Sequence, residues 1–321
     1  MMRRTLCPAA LAAALLAAAP AAANDSTAVL GAGGLELVHT DAVAMESEHL
    51  AISRSEVVVR YRFRNLAGRP IRSVVAFPLP EIDLSQLAET PITQPNPDPD
   101  DFVGFRVAVD GRPVAAKVEM RAWRHGVDVT DLLAALGLPV SRFHPELYPR
   151  LLAQPAHVRR ALRAPEIAAW EDHDNVYPLW TMRAAFHWEQ EFPADRPLAV
   201  EHRYRPVVGE SSFGQYLLAD TDEARQWRAD FCVDERARAA LAARLALARP
   251  DDPYRPMRTI AYVLTTARNW AGPIGLFHLA LDKGPADSVM VTCAAGLAGP
   301  GPVWEVRDFV PARELTVAIV D

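Results

Sequence analysis

Val57-Val58-Val59-Arg60-Tyr61-Arg62-Phe63-Arg64-Asn65, then Leu66-Ala67-Gly68-Arg69-Pro70, then Ile71-Arg72-Ser73-Val74-Val75-Ala76-Phe77-Pro78 is the stretch from which the fold can be read. Val57, Val59, Tyr61 and Phe63 alternate with Val58, Arg60, Arg62 and Arg64. A period of two puts one set on a buried face and the other in water, and β-branched and aromatic residues suit that surface. Asn65-Leu66-Ala67-Gly68 has turn chemistry. Ile71, Ser73, Val75 and Phe77 resume the alternation, and Pro78 and Pro80, lacking the donor, end it. The expectation is an antiparallel pair with Tyr61, Phe63, Val75 and Phe77 in the core.

Working outward, other segments repeat this grammar. Leu35 to His39, Val43 to Met45 and Leu50 to Ile52 are short strands upstream. Downstream, Pro91 to Asp101 is a proline- and aspartate-rich exposed loop. Phe105, Val107 and Val109 lead into Asp110-Gly111, a strong hairpin signal, and Val114 to Met120 return. Met182, Ala184, Phe186 and Trp188 share one face, as do Leu198, Val200, His202 and Tyr204, which predicts a third hairpin. Between them, from about 128 to 174, the pattern changes. Asp128 or Thr130 can cap a short helix over Asp131 to Leu136, with Gly137 as its stop. Pro139, Pro145, Pro149, Pro155 and Pro165 then permit only short helices. Ser211-Ser212 reads as linker. After it, Asp234 is a helix N-cap, with Ala237, Leu241, Leu245 and Ala248 on one face, and four further strands follow. The predicted architecture is mostly β. It comprises an antiparallel β-sandwich over 24–209 with a helical insertion at about 128–174, and a smaller α+β C-terminal unit over 210–321.

The first 23 residues read as a signal peptide. Arg3 and Arg4 precede an apolar run from Leu11 to Ala19, and Ala21-Ala22-Ala23 supplies small residues for cleavage before Asn24. The run is too short for a permanent anchor, and no later segment is long and apolar enough to cross a membrane. Cleavage leaves 298 of the 321 residues and takes the formal charge from −6 to −8. That acidity argues against nucleic acid as a partner. The alanine- and arginine-rich, lysine-poor composition fits a bacterium with a GC-rich genome. The expected location is periplasmic or secreted, and Cys232 and Cys293, the two cysteines left there, are expected to form one disulfide.

With these segments in hand, the chain resembles a bacterial exported family known only as a domain of unknown function, number forty-four twenty-four. The resemblance rests on Asn24-Asp25-Ser26, Gly33-Gly34-Leu35, Met45 to Ile52, Tyr61 to Asn65 and Val75 to Pro80. It continues through Phe102-Val103-Gly104-Phe105, His202 to Gly209, Asn269-Trp270, Gly272-Pro273-Ile274, Asp282-Lys283-Gly284 and Phe309-Val310-Pro311. It spans nearly the whole mature chain and implies export and a mostly β fold. It implies no activity, because the family has none assigned. A fainter likeness of Tyr61 to Pro80 to the vault and inter-alpha-trypsin type of β domain bears on fold only.

Candidate sites follow from residue type. Glu171-Asp172-His173-Asp174 is the densest ligand-type cluster, and Asp172, His173 and Asp174 are the candidate metal ligands. His39 and Asp41, with Glu46, Glu48 and His49 nearby, form a second acid–base or metal candidate. Each has a plainer reading, a solvated acidic loop and the polar face of an edge strand. Gly-x-Ser-x-Gly, His-Glu-x-x-His and a phosphate loop are all missing, and Gly31 to Gly34 precedes a strand, so no nucleophile, dinucleotide or other cofactor is expected. Trp123, Trp170 and Trp180 flank the insertion and would give a binding platform if exposed, against the ordinary expectation that large aromatics are core. The leading reading is a non-enzymatic binding or interaction protein of the envelope. The alternatives are a hydrolase using Glu171, Asp172 or Asp174, and a structural partner of another envelope protein.

Overall fold

The strand Val57–Asn65 buries every odd-numbered residue from Val57 to Asn65 and turns Arg60, Arg62 and Arg64 to solvent, as its alternation dictates. A computed structural model describes residues 25–31, 34–86, 91–172, 174–293, 297 and 301–321. The expected leader, 1–23, lies outside the described residues.

Two seven-stranded sheets form a sandwich. The first runs Val127–Asp128, Lys117–Arg124, Thr181–Phe192, Ile71–Pro78, Ser26–Gly31, Gly34–Val38, with Ile82–Asp83 also paired to Thr181–Phe192. The second runs Val303–Phe309, Ile274–Leu281, Val43–Ile52, Val57–Asn65, Leu198–Tyr204, Arg106–Val109, Arg112–Val114. Their inner faces meet through aromatic rings, Phe63 against Phe192 at 5.9 Å, Phe77 against Tyr204 at 5.6 Å and Trp188 against His202 at 5.3 Å.

The expected hairpin between Val57–Asn65 and Ile71–Pro78 is corrected. Val57–Asn65 pairs with Val43–Ile52 and Leu198–Tyr204, whereas Ile71–Pro78 pairs with Thr181–Phe192 and Ser26–Gly31. The connection is an arch from one sheet to the other. Asn65 builds it, donating its amide to the Arg69 and Phe192 carbonyls and accepting from the Ala67 N–H. Gly68 supplies φ +67°. Tyr61, Phe63, Val75 and Phe77 are core all the same, none more than 2 % exposed. Facing strands of a sandwich bury the same alternate residues as paired strands of one sheet, so the pattern cannot separate the two.

Two other connections behave likewise. Thr181–Phe192 and Leu198–Tyr204 lie in opposite sheets, not in a hairpin. Asp110-Gly111 does turn a hairpin, with φ of +47° and +76° and Val109 opposite Arg112. Its return strand stops at Val114, and the chain enters the first sheet as Lys117–Arg124.

The insertion contains three short helices, Thr130–Ala135, Leu147–Leu152 and Ala156–Arg163. They pack with the hairpin Ala168–Trp170/Val176–Pro178 around a separate core of Leu133, Leu147, Leu151, Leu162 and Trp180. Beyond residue 209 a third sheet runs Gly209–Phe213, Arg255–Tyr262, Leu315–Val320, Val289–Cys293. Ser211-Ser212 is therefore strand, not linker. The helix Glu235–Leu245 is capped by Asp234, which accepts from the Ala237 N–H at 2.7 Å. Cys232 and Cys293 are disulfide-bonded.

The expected C-terminal unit also reaches back. Ile274–Leu281 pairs in parallel with Val43–Ile52, and Tyr262, Trp270, Leu315 and Val317 join the main core. A Cβ on Gly275 would sit 2.7 Å from the Glu46 carbonyl oxygen, so this parallel pairing depends on glycine. Gly275→Ala is expected to lower the unfolding free energy by about 1–3 kcal/mol, as overpacked sites do. Urea unfolding measures it, and an unchanged midpoint would disprove the close approach. Among the described residues no helix is long and apolar enough to cross a membrane.

Candidate functional site

The face of Leu198–Tyr204 that carries Leu198, Val200 and Tyr204 also carries His202, so alternation drives an imidazole into the core. Phe77, Phe105, Trp188 and Tyr61 surround it with ring centroids at 4.9–5.3 Å. Its Nε2 lies 3.5 Å from Oδ2 of Asp25, and both side chains are fully buried. Glu48 joins them because a register shift between Met45 and Ser47 re-aims the strand and turns Glu48 inward. The Tyr262 hydroxyl donates to Glu48 Oε1 at 3.3 Å and lies 3.1 Å from the Tyr61 hydroxyl. Trp270 Nε1 donates to the Asp25 carbonyl and Asn269 Nδ2 to Ser26 Oγ at 2.8 Å, which ties the start of the first strand to Asn269-Trp270.

Burial holds His202 neutral, with its pKa pulled down to about 3. Burial, and then the carboxylate of Glu48, push Asp25 well above the usual carboxylate range. Burial likewise raises the phenols of Tyr61, Tyr204 and Tyr262. Asp25, Glu48 and His202 have the chemistry of acid–base groups, but each is 0 % exposed. A substrate has to come within hydrogen-bond reach of such a group. The cluster therefore anchors the scaffold.

Tyr204 borders both this cluster and an open cleft of about 400 Å³. The walls are apolar, with Leu79, Ile82, Phe102, Val103, Val207 and Ala261 among them. Backbone bonds hold the Pro91–Gly104 loop across its side, Arg205 N–H to the Val103 carbonyl at 2.9 Å and Glu210 N–H to the Pro91 carbonyl at 2.9 Å. Polar groups are few. Glu81 ion-pairs with Arg183 at 2.7 Å, Asp83 accepts from the Ser85 N–H and hydroxyl, and Gln86 and Thr259 complete the set. A mostly apolar recess with a small number of placed polar groups is what ligand pockets share.

The residues singled out in the sequence are spread elsewhere. Trp180 is fully buried with Nε1 donating to the Val140 carbonyl, and Trp170 is buried beneath Arg159 and Arg163. Trp123 is half-buried under Arg183. None of the three is an exposed ring, so the platform expected from them is corrected. The short helices needed a core of their own, and Trp170 and Trp180 join its leucines. Asp172 accepts from the Asp174 and Asn175 N–H groups and the Asn175 amide, closing the tight turn of a hairpin, while Glu171 accepts from the Tyr177 hydroxyl. His173 lies outside the described residues, among which no group of three ligating side chains could hold a metal. His39 bonds Asp41 at 2.9 Å in solvent, and Glu46 binds Arg62 and Arg64 on the outer face, away from Glu48 in the core.

The cleft was visible in sequence only as scattered pieces. Eight of its fifteen lining residues come from Val75 to Pro80, Phe102 to Phe105 and His202 to Gly209, three of the stretches that carry the family resemblance. A family profile described as "Domain of unknown function (DUF4424)" matches residues 23–318. No curated protein matches. Among solved structures, a Legionella pneumophila protein provisionally described as a nutrient binding protein aligns over 94% of this chain and 72% of its own, at 13% identity and a TM-score of 0.41.

Proposed function

We propose that this chain, which belongs to the domain of unknown function family DUF4424, is an exported, non-enzymatic binding protein that holds a small, largely apolar ligand in the cleft beneath Leu79-Pro80. The cleft itself carries the reading. It offers about 400 Å³ of apolar-walled space, and its carboxylates, Glu81 and Asp83, suit a ligand whose polar end donates hydrogen bonds. The ionisable groups with the most perturbed protonation are sealed in the core below it, which favours binding over acid–base catalysis. Export is supported by the basic start, apolar run and small-residue site over 1–23, and by a disulfide suited to an oxidising compartment. Asp172, Asp174 and Asn175 are read as turn residues of a hairpin.

Neutral N-phenyl-1-naphthylamine, fluorescent in apolar surroundings, is the probe. Residues 24–321 should bind it saturably. Ala261→Trp, which fills the cleft from an exposed position, should weaken binding at least ten-fold with the unfolding midpoint kept. Probe at about a hundred times its Kd should stabilise the parent chain by about 2.7 kcal/mol. Undiminished binding in the tryptophan variant would remove the cleft from consideration. N-terminal sequencing of periplasmic material tests export, with Asn24 expected first.

A further inference from the structure

Phenylalanine and tryptophan contribute no exposed ring among the described residues, and only three tyrosines are exposed, Tyr177, Tyr216 and Tyr254. Two of these three lie together. Tyr216 and Tyr254, 53% and 49% exposed, come from separate segments and meet over Gly214. A Cβ there would stand 2.7 Å from the Tyr254 ring and 3.0 Å from that of Tyr216, so glycine lets both rings lie against the backbone. The Tyr216 hydroxyl donates to the Ser212 carbonyl, which fixes its ring. Covering exposed aromatic surface is favourable, and a ring held in place, as that of Tyr216 is, loses little entropy when covered.

Tyr254 also borders a pocket of about 240 Å³ whose rim is polar, with Glu210, Ser211, Asp252, Arg255 and Arg258. Carboxylates, a hydroxyl and guanidiniums supply acceptors and donors side by side, which adjacent hydroxyl groups of one ligand require. An aromatic π face carries negative charge and attracts the electropositive C–H face of a saturated ring. A flat apolar face edged by paired hydroxyls describes a pyranose. The rim groups already pair with neighbours, Arg258 with Asp321 and Glu210, and Arg255 with the Asp321 carbonyl, and a ligand's hydroxyls would use the hydrogen-bonding capacity that these pairs leave.

We infer that Tyr216, Tyr254 and the adjoining polar pocket form a carbohydrate-binding subsite for a glycan pyranose ring. It shares no lining residue with the apolar cleft and does not depend on the reading given to it.

The test is calorimetry and saturation-transfer NMR on residues 24–321 with two probes, the β-1,4-linked N-acetylglucosamine tetrasaccharide and maltotetraose. At least one should bind with a Kd below millimolar. Tyr216→Ala and Tyr254→Ala should each weaken it ten-fold or more, while Tyr216→Phe and Tyr254→Phe stay within about three-fold, because stacking uses the ring. Gly214→Ala should weaken it as the alanines do. Ala261→Trp should leave it unchanged. Binding of neither tetrasaccharide, or binding that survives the double alanine variant, would overturn the assignment.

Discussion

Reduction of Cys232–Cys293 is expected to lower the unfolding free energy by roughly 4 kcal/mol, the chain-entropy value for a loop of this length. The bridge spans 61 residues, and its Cα atoms are 5.0 Å apart. Within the loop lie the helix Glu235–Leu245 and strands of both the second and third sheets. Cys232 follows the helix Asp222–Asp230, and Cys293 ends a third-sheet strand. The bond therefore pins the helices to that sheet over a small core of eight buried residues, Phe213, Leu217, Leu218, Leu241, Met257, Val291, Ala318 and Val320. So few buried residues give weak independent support, which is why the covalent link matters here more than it would in the main core. Urea unfolding of the oxidised chain against the Cys232→Ala/Cys293→Ala double variant measures the difference. Equal midpoints would show that the third sheet needs no staple.

How much of this was legible in the sequence depends on which physical rule decides each feature. Period-two alternation is local, so the buried faces of Val57–Asn65 and Leu198–Tyr204, His202 included, followed directly. Asp110-Gly111 and Asp234 were legible because turn and cap chemistry act within a few residues. Strand partners were not, since an arch and a hairpin bury the same residues. Asn65 bonding the Phe192 carbonyl is a contact across 127 positions that no local pattern announces. Tertiary assembly likewise decided the sites. Trp180 became core because the insertion had nothing larger to pack around. Tyr216 and Tyr254 stood far apart in the chain, with only Gly214 hinting at a close approach. Glu48 needed a bulge to turn inward.

Asp25→Asn and His202→Phe are expected to tilt the pH dependence of stability in opposite directions. His202 has its folded pKa lowered to about 3 against an ordinary value near 6.5, so its contribution is present above pH 6.5 and is lost as pH falls towards 3. Full loss amounts to roughly 5 kcal/mol at about 1.4 kcal/mol per unit. Asp25 is raised by burial and by Glu48, so its contribution is present below its unfolded value of 3.8 and is lost as pH rises through its folded one. Above about pH 4, for as long as the raised Asp25 carboxyl keeps its proton in the folded chain, the two arms offset, because the unfolded chain also holds one proton, on histidine. Tyr61 and Tyr262 face the pair in every version of the chain, and Glu48, whose charge helps raise Asp25, belongs to the Asp25 arm. Removing the imidazole leaves the Asp25 arm, and stability relative to the parent should fall by up to about 1.4 kcal/mol per pH unit over that window. Phenylalanine suits the site, which is already walled by Phe77, Phe105 and Trp188. Removing the carboxyl leaves the His202 arm, and relative stability should rise with pH by a similar slope. Urea titrations at half-unit steps from pH 4 to 6.5 decide it. Variants that run parallel to the parent would mean that burial shifts neither Asp25 nor His202.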